Sequence, residues 1–186
     1  MELKLSSESI KIIQYARDEA MRTGSYGIGA DHLMLGILRH SNNGAAECLR
    51  KAGIDSTALK KHLDNALFSE KAVPYSDMDK VQPTKALQKV LGISVLEALR
   101  VESGSIEPVH FLLAVCRAEE SVCTRYLSGK GIGYKEMSAI SGTVGTNRSE
   151  ERKMRPEDIA GVLGEQLSNI FGSYKGAYKQ KKNLLN

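Results

Sequence analysis

Apolar residues recur at helical spacing along almost the whole chain. Ile12, Ile13, Ala16 and Ala20 fall on one face of a first helix. Ser6 or Ser7 can cap its start, and Gly24 can close it. The run His32-Leu-Met-Leu-Gly-Ile-Leu38 that follows is apolar all round, the mark of a buried central helix. Shorter helices are expected near 43–52 and 55–67, with Gly53 between them. The same succession starts again at Thr84. Leu87, Val90, Leu91, Val95 and Ala98 form the apolar face of a long helix, and His110-Phe-Leu-Leu-Ala-Val-Cys116 forms a second central one. Two short helices near 120–130 and 133–142, divided at Gly131, complete it. Gly36 and Ala114 hold equivalent places, which predicts a close helix crossing there. No segment alternates convincingly with period two, so the fold class is all-α.

The recurrence is a duplication. A shift of 78 residues aligns 6–67 with 84–145 without a gap, and twelve of the 62 positions are identical. Eleven of them, from Glu19/Glu97 to Ile54/Ile132, lie within 36 positions, where average composition predicts roughly two. They include Arg22/Arg100, His32/His110, Arg39/Arg117 and Gly53/Gly131. Residues 1–146 therefore read as one double-repeat body joined by a connector over 68–83. A unit of about sixty residues is too long for a solenoid repeat.

Residues 147–186 differ in character. A polar stretch after Gly145 has linker chemistry, and Pro156, Glu157 and Asp158 then suit the first turn of a helix. Ile159, Val162, Leu163, Leu167, Ile170, Phe171 and Tyr174 make one apolar stripe on this C-terminal amphipathic helix over 156–178. Such a stripe must bury against the body, against a second copy in a homodimer, or against a partner.

Charge adds little to the body. From Asn147 onward there are eight basic and five acidic residues, and before it 18 and 17. A near-neutral body without Trp and with three Phe disfavours nucleic acid as a partner. No window approaches a membrane span, and the alternating Met1-Glu-Leu-Lys-Leu-Ser-Ser-Glu start is unlike a secretion signal, so a cytoplasmic location is expected. Cys48, Cys116 and Cys123 lack metal-ligand spacing and read as reduced thiols. No metal, cofactor or catalytic constellation emerges, so the chain reads as non-enzymatic.

The Gly-x-Asp-His-Leu-x-Leu-Gly-Ile-Leu run ending at Leu38, the Ala16-Arg-Asp-Glu-Ala20 helix, the Ala52-Gly-Ile54 turn and their doubling resemble the Clp repeat domain. That domain is the N-terminal module of Clp-type AAA+ unfoldases such as ClpA, ClpB and ClpC. The resemblance covers residues 1 to about 145. It implies two four-helix repeats related by a pseudo-twofold axis. It also implies a docking role toward a Clp ATPase or protease, its adaptors or unfolded clients. Nothing matches Gly-x-x-x-x-Gly-Lys-Ser/Thr, so no nucleotide-driven unfolding is expected of these residues. The amphipathic tail favours a stand-alone accessory protein over an excised N-terminal fragment.

The resemblance also implies a phosphoarginine pocket in each half. A helix start and its hydroxyl would hold the phosphate, and an acid before the motif histidine would pair with the guanidinium. Ser6 and Asp31 match in the first half, and Thr84 matches in the second. There Val109 replaces the acid and cannot pair with a cation. All three matching residues also suit plain helix capping. His32 and His110 are expected to start helices. Glu19 with Arg22 and Glu97 with Arg100, at i and i+3, are expected as surface or inter-helix ion pairs.

Overall fold

The structure, a computed structural model, describes residues 3–118, 121–142 and 161–171. A two-residue strand β1 (Lys4–Leu5) leads into α1 (Ser7–Thr23), and a second, β2 (Gly27–Ile28), leads into α2 (Ala30–Arg39). Then come α3 (Gly44–Lys51) and α4 (Ser56–Leu67). After a 3-10 turn over Tyr75–Lys80 the order repeats. It runs β3 (Gln82–Pro83), α5 (Lys85–Arg100), β4 (Ser105–Ile106), α6 (Pro108–Arg117), α7 (Val122–Gly129) and α8 (Tyr134–Ser141). A further helix, α9, occupies 161–171. The fold is all-α, and the four strands are too short for any period to show in the sequence.

Capping follows the chemistry of the chain. Ser6 Oγ accepts from the Ser9 N–H at 3.2 Å, and Thr84 Oγ1 accepts from the Leu87 N–H at 3.1 Å. Asn43, Asp55 and Ser121 do the same for α3, α4 and α7. These bonds satisfy N–H groups that a helix start otherwise leaves without a partner.

The strands pair in parallel and across the halves. β1 lies beside β4 and β2 beside β3. The segment before the first helix of each half thus pairs with the segment after the first helix of the other. The Ser6 N–H donates to the Ile106 carbonyl and the Thr84 N–H to the Ile28 carbonyl, both at 3.1 Å. This reciprocity is what a pseudo-twofold relation demands.

Helices α2 and α6 form the centre. Leu33, Met34, Leu35 and Ile37 are buried on one, and Phe111, Leu112, Leu113, Ala114 and Val115 on the other. The crossing of α1 and α2 is close because Gly36 has no side chain. A Cβ there would stand 2.6 Å from the Ile12 carbonyl oxygen and 3.1 Å from the Ala16 nitrogen. A second close approach lies at the end of the first helix. Gly24 has φ 86°, and a Cβ on it would meet the Lys71 carbonyl at 2.4 Å. The connector runs across that point, with the Ser69 N–H donating to Thr23 O and the Val73 N–H to Met21 O. The equivalent residue in the second half is Glu102, also left-handed at φ 53°.

Helix α9 lies against the body. Leu163, Ile170 and Phe171 are buried, and Val162 and Leu167 are half-buried against the core. The guanidinium of Arg17 on α1 sits 5.5 Å from the centre of the Phe171 ring. Of the three ways to cover the apolar stripe, the structure has the first, packing on its own body. Ile159 and Tyr174 lie outside the described residues. Among the described residues, no helix is long and apolar enough to cross a membrane.

Candidate functional site

The two central helices begin in the same way. His32 Nδ1 accepts from the Gly29 N–H and His110 Nδ1 from the Glu107 N–H, each at 2.9 Å. An Nδ1 that accepts leaves the proton of a neutral ring on Nε2. His32 Nε2 lies 3.2 Å from Thr23 Oγ1, which itself donates to the Glu19 carbonyl at 2.8 Å. Burial pushes both imidazoles below the ordinary histidine pKa, against the opposing pull of nearby carboxylates. The histidines are neutral helix-start groups, as their register implied.

Glu19 and Glu97 are inter-helix ion-pair centres. Glu19 accepts from Arg22 at 2.6 Å within α1 and from Arg39 of α2 at 3.4 Å. Glu97 accepts from Arg100 and from Arg117 of α6, both at 2.7 Å, and from the Tyr134 hydroxyl. Tyr134 is pushed up to about 12, chiefly by burial and then by this bond to a carboxylate. The tyrosine was invisible to sequence spacing, because it belongs to α8, 37 residues away.

The three candidate ligand residues sit at helix starts but not in the grouping that the half-by-half reading assumed. Helices α1 and α2 form an antiparallel hairpin, and Glu8 near the start of α1 lies 4.0 Å from His40 at the end of α2. Asp31 is nine residues before His40, about 13 Å along the helix. Ser6 and Asp31 thus occupy opposite ends of the hairpin. The strand exchange instead brings Ser6 to the β4–α6 junction, where Ile106 accepts its N–H and Glu107 follows. Thr84 goes to the β2–α2 junction, where its hydroxyl donates to the Ile28 carbonyl at 3.1 Å. Asp31 is itself engaged. Its two oxygens accept from the Val122 N–H at 3.1 Å and the Cys123 N–H at 2.8 Å. The carboxylate holds the start of α7, where unpaired N–H groups favour negative charge. Glu107, next in the chain to the Ile106 that Ser6 bonds, carried no signal in the repeat alignment, because it aligns with Gly29 and not with Asp31. Its Oε1 accepts from the Ser105 hydroxyl.

Among the described residues no cluster of three potential metal ligands occurs. The thiols are poor nucleophiles as placed. Burial raises Cys116 to about 12 and Cys123 well above its ordinary value.

A double set of histidine-started central helices, crossed through parallel strand pairs, coincides with a match of residues 4–130 to the model of the Clp repeat (R) N-terminal domain. The chain belongs to this family. Among its relatives is the ClpC/MecB protein of Bacillus subtilis, described as a negative regulator of genetic competence. The two are 24% identical over 147 residues, which is 78% of this chain and 18% of that protein. The N-terminal domain of Hsp104 from Candida albicans superposes with a TM-score of 0.60 at 14% identity, covering 74% of this chain and 89% of that one. The N-terminal domain of ClpD from Arabidopsis thaliana gives 0.55 at 18% identity, covering 75% and 93%. These two likenesses show the fold. The Clp repeat chain spans about a fifth of the length of the curated relatives it matches.

Proposed function

We propose that this Clp repeat chain is a non-enzymatic interaction module of the cytoplasm. It binds a Clp-type AAA+ unfoldase or protease, or the adaptors and unfolded clients of one, and modulates substrate delivery. The observation that supports this most is the family match over 4–130, together with a sequence lacking any Gly-x-x-x-x-Gly-Lys-Ser/Thr loop. Catalysis is not needed for that task, and the buried neutral histidines and raised thiols fit a body built for packing. The test is affinity capture with the chain, paired with degradation of labelled casein by the Clp ATPase and protease of the same cell. Recovery of the ATPase, protease or clients and a changed degradation rate are expected. No recovery and no change in rate would end the reading.

A second reading makes these residues the substrate- and adaptor-docking domain of a longer ClpC- or ClpB-like ATPase, acting in cis. The 18% share of the ClpC and ClpB relatives favours it. Reading the gene beyond the Asn186 codon decides between the two.

Under either reading, a phosphoarginine ligand at Ser6, Asp31 and Thr84 must compete with caps already formed. Asp31 would have to release two backbone donors of α7 to meet a guanidinium. Titration with a phosphoarginine peptide is expected to leave the Asp31, Val122 and Cys123 amide shifts unchanged, and movement of all three would mean that a ligand displaces the Asp31 cap.

A further inference from the structure

We propose that α9 is an intramolecular stand-in for an extended peptide. The outer edge of β1, with the apolar face under α9, would be a docking site for a partner segment that adds to β1 as a strand. The proposal rests on the interaction-module reading and gives it a surface.

The backbone of residues 3–6 has one edge paired and one turned outward. Groups alternate in direction along a strand. The Ser6 N–H donates to Ile106 of β4, so residues 4 and 6 face β4 and residues 3 and 5 face away. The outward edge therefore offers the Leu3 carbonyl and the Leu5 N–H. Both meet one side chain. Gln166 Oε1 accepts from the Leu5 N–H at 2.6 Å, and Gln166 Nε2 donates to the Leu3 carbonyl at 3.3 Å. One residue of an added strand would make this pair of bonds with its own N–H and C=O. The Val162 carbonyl, 2.8 Å from Nε2, helps to hold the amide in place.

The second half carries the matching edge, and its chemistry differs. The residue equivalent to Leu5 is Pro83 in β3, which has no N–H to offer. Strand addition is blocked there by the chain itself, while the β1 edge keeps its donor and is covered by a helix. Beside that edge the cover is apolar. Leu163, Ile170 and Phe171 are buried, and Arg17 lies under the Phe171 ring. Five residues of helix separate Gln166 from Phe171, about 7.5 Å of rise, which an extended chain spans in about two residues. The fitting partner is thus an extended, uncharged segment with an aromatic residue two places from the one that pairs with β1. Helix α9 belongs to the same chain as the β1 edge that it covers, so its pairing is intramolecular. An outside peptide must compete with that.

The experiment uses the full chain and a fluorescein-labelled, end-capped peptide, Thr-Val-Thr-Val-Thr-Phe-Thr, followed by anisotropy. Gln166→Leu alone, and Gln166→Leu combined with Phe171→Ala, are expected to bind it at least tenfold more tightly than the parent chain. The same peptide with N-methylated valines should lose that binding, since strand addition needs backbone donors. In the parent chain, excess peptide should speed amide exchange across 161–171 while the Leu5 amide stays protected, a measurement that needs no variant to fold. No gain in affinity on opening, equal binding of the methylated peptide, or unchanged exchange in 161–171 would each overturn the proposal. Capture of Clp partners by the same variants separates the two ideas. If partners are recovered while the peptide fails, the β1 site falls and the interaction-module reading stands.

Discussion

Glu97 has no exposed surface, and its carboxylate gathers Arg100, Arg117 and the Tyr134 hydroxyl from three helices. Its counterpart Glu19 is almost as buried, but its arginine partners Arg22 and Arg39 are 37% and 44% exposed. Water therefore screens the first-half pair far more than the second. Glu97→Ala leaves two arginines and a phenol facing a void and should cost about 3–5 kcal/mol. Glu19→Ala should cost clearly less. Guanidinium chloride unfolding of both variants checks the ranking, and equal losses would contradict it. Only the i to i+3 half of each cluster was legible in the sequence. The arginines of α2 and α6 and Tyr134 join through tertiary packing, which spacing along one helix does not report.

The two histidines give the residue scale a pH dependence. Burial lowers both pKa values in the folded chain, so the unfolded chain takes up the proton first as pH falls. Their contribution is whole above the unfolded value of about 6.5 and is lost as pH drops toward the folded values. Urea midpoints measured from pH 7.5 to 5 should be level above neutrality and decline below about 6.5. A His32→Asn/His110→Asn chain should start less stable and show a flatter decline. An equal slope in that chain would place the titrating groups elsewhere.

At the scale of elements, equivalent sequence produces unequal helix crossings. The pairing of Gly36 with Ala114 announced a close approach, and a Cβ on Gly36 would indeed stand 2.6 Å from backbone oxygen. Gly36→Ala gains about 1 kcal/mol of helix propensity but must push α1 from α2, and overpacking of this kind costs about 1–3 kcal/mol. A net loss of stability is expected. Ala114→Gly should also destabilise, by about 0.5–1 kcal/mol, because it loosens the chain without relieving any crowding. Denaturant midpoints of both would test this, and a stabilised Gly36→Ala chain would refute the crowding. The short strands were not legible at this scale, since two residues carry no period. The crossed positions of Ser6 and Thr84 were hidden for the same reason. Repeat alignment tells which residues are equivalent, but only the strand exchange tells which repeat each one touches.

The same exchange governs the molecule as a whole. Each half sends its leading segment into the other, so Ile28 and Ile106 accept bonds from residues 56 and 100 positions away, respectively. The Ser9 hydroxyl adds a buried bond to Ile106 at 2.7 Å, and Asp31 of the first half caps α7 of the second. Helices α2 and α6, each buried nearly all round, meet at the centre, so neither half has a complete core alone. A sixty-residue unit cut free would expose Leu33, Ile37, Phe111 or Leu112 and leave carbonyls and N-terminal amides without partners. The duplication visible in the sequence is therefore not a division into independently folding parts. A chain ending at Leu67 should show little helix by circular dichroism and no cooperative melt. Mixed with a chain covering 68–186, it should regain both. The intact chain should unfold in a single transition with coincident fluorescence and circular dichroism midpoints. A cooperatively folded first half on its own would mean that the exchange decorates two finished domains, and the crossed strands would then lose their role in holding the body together.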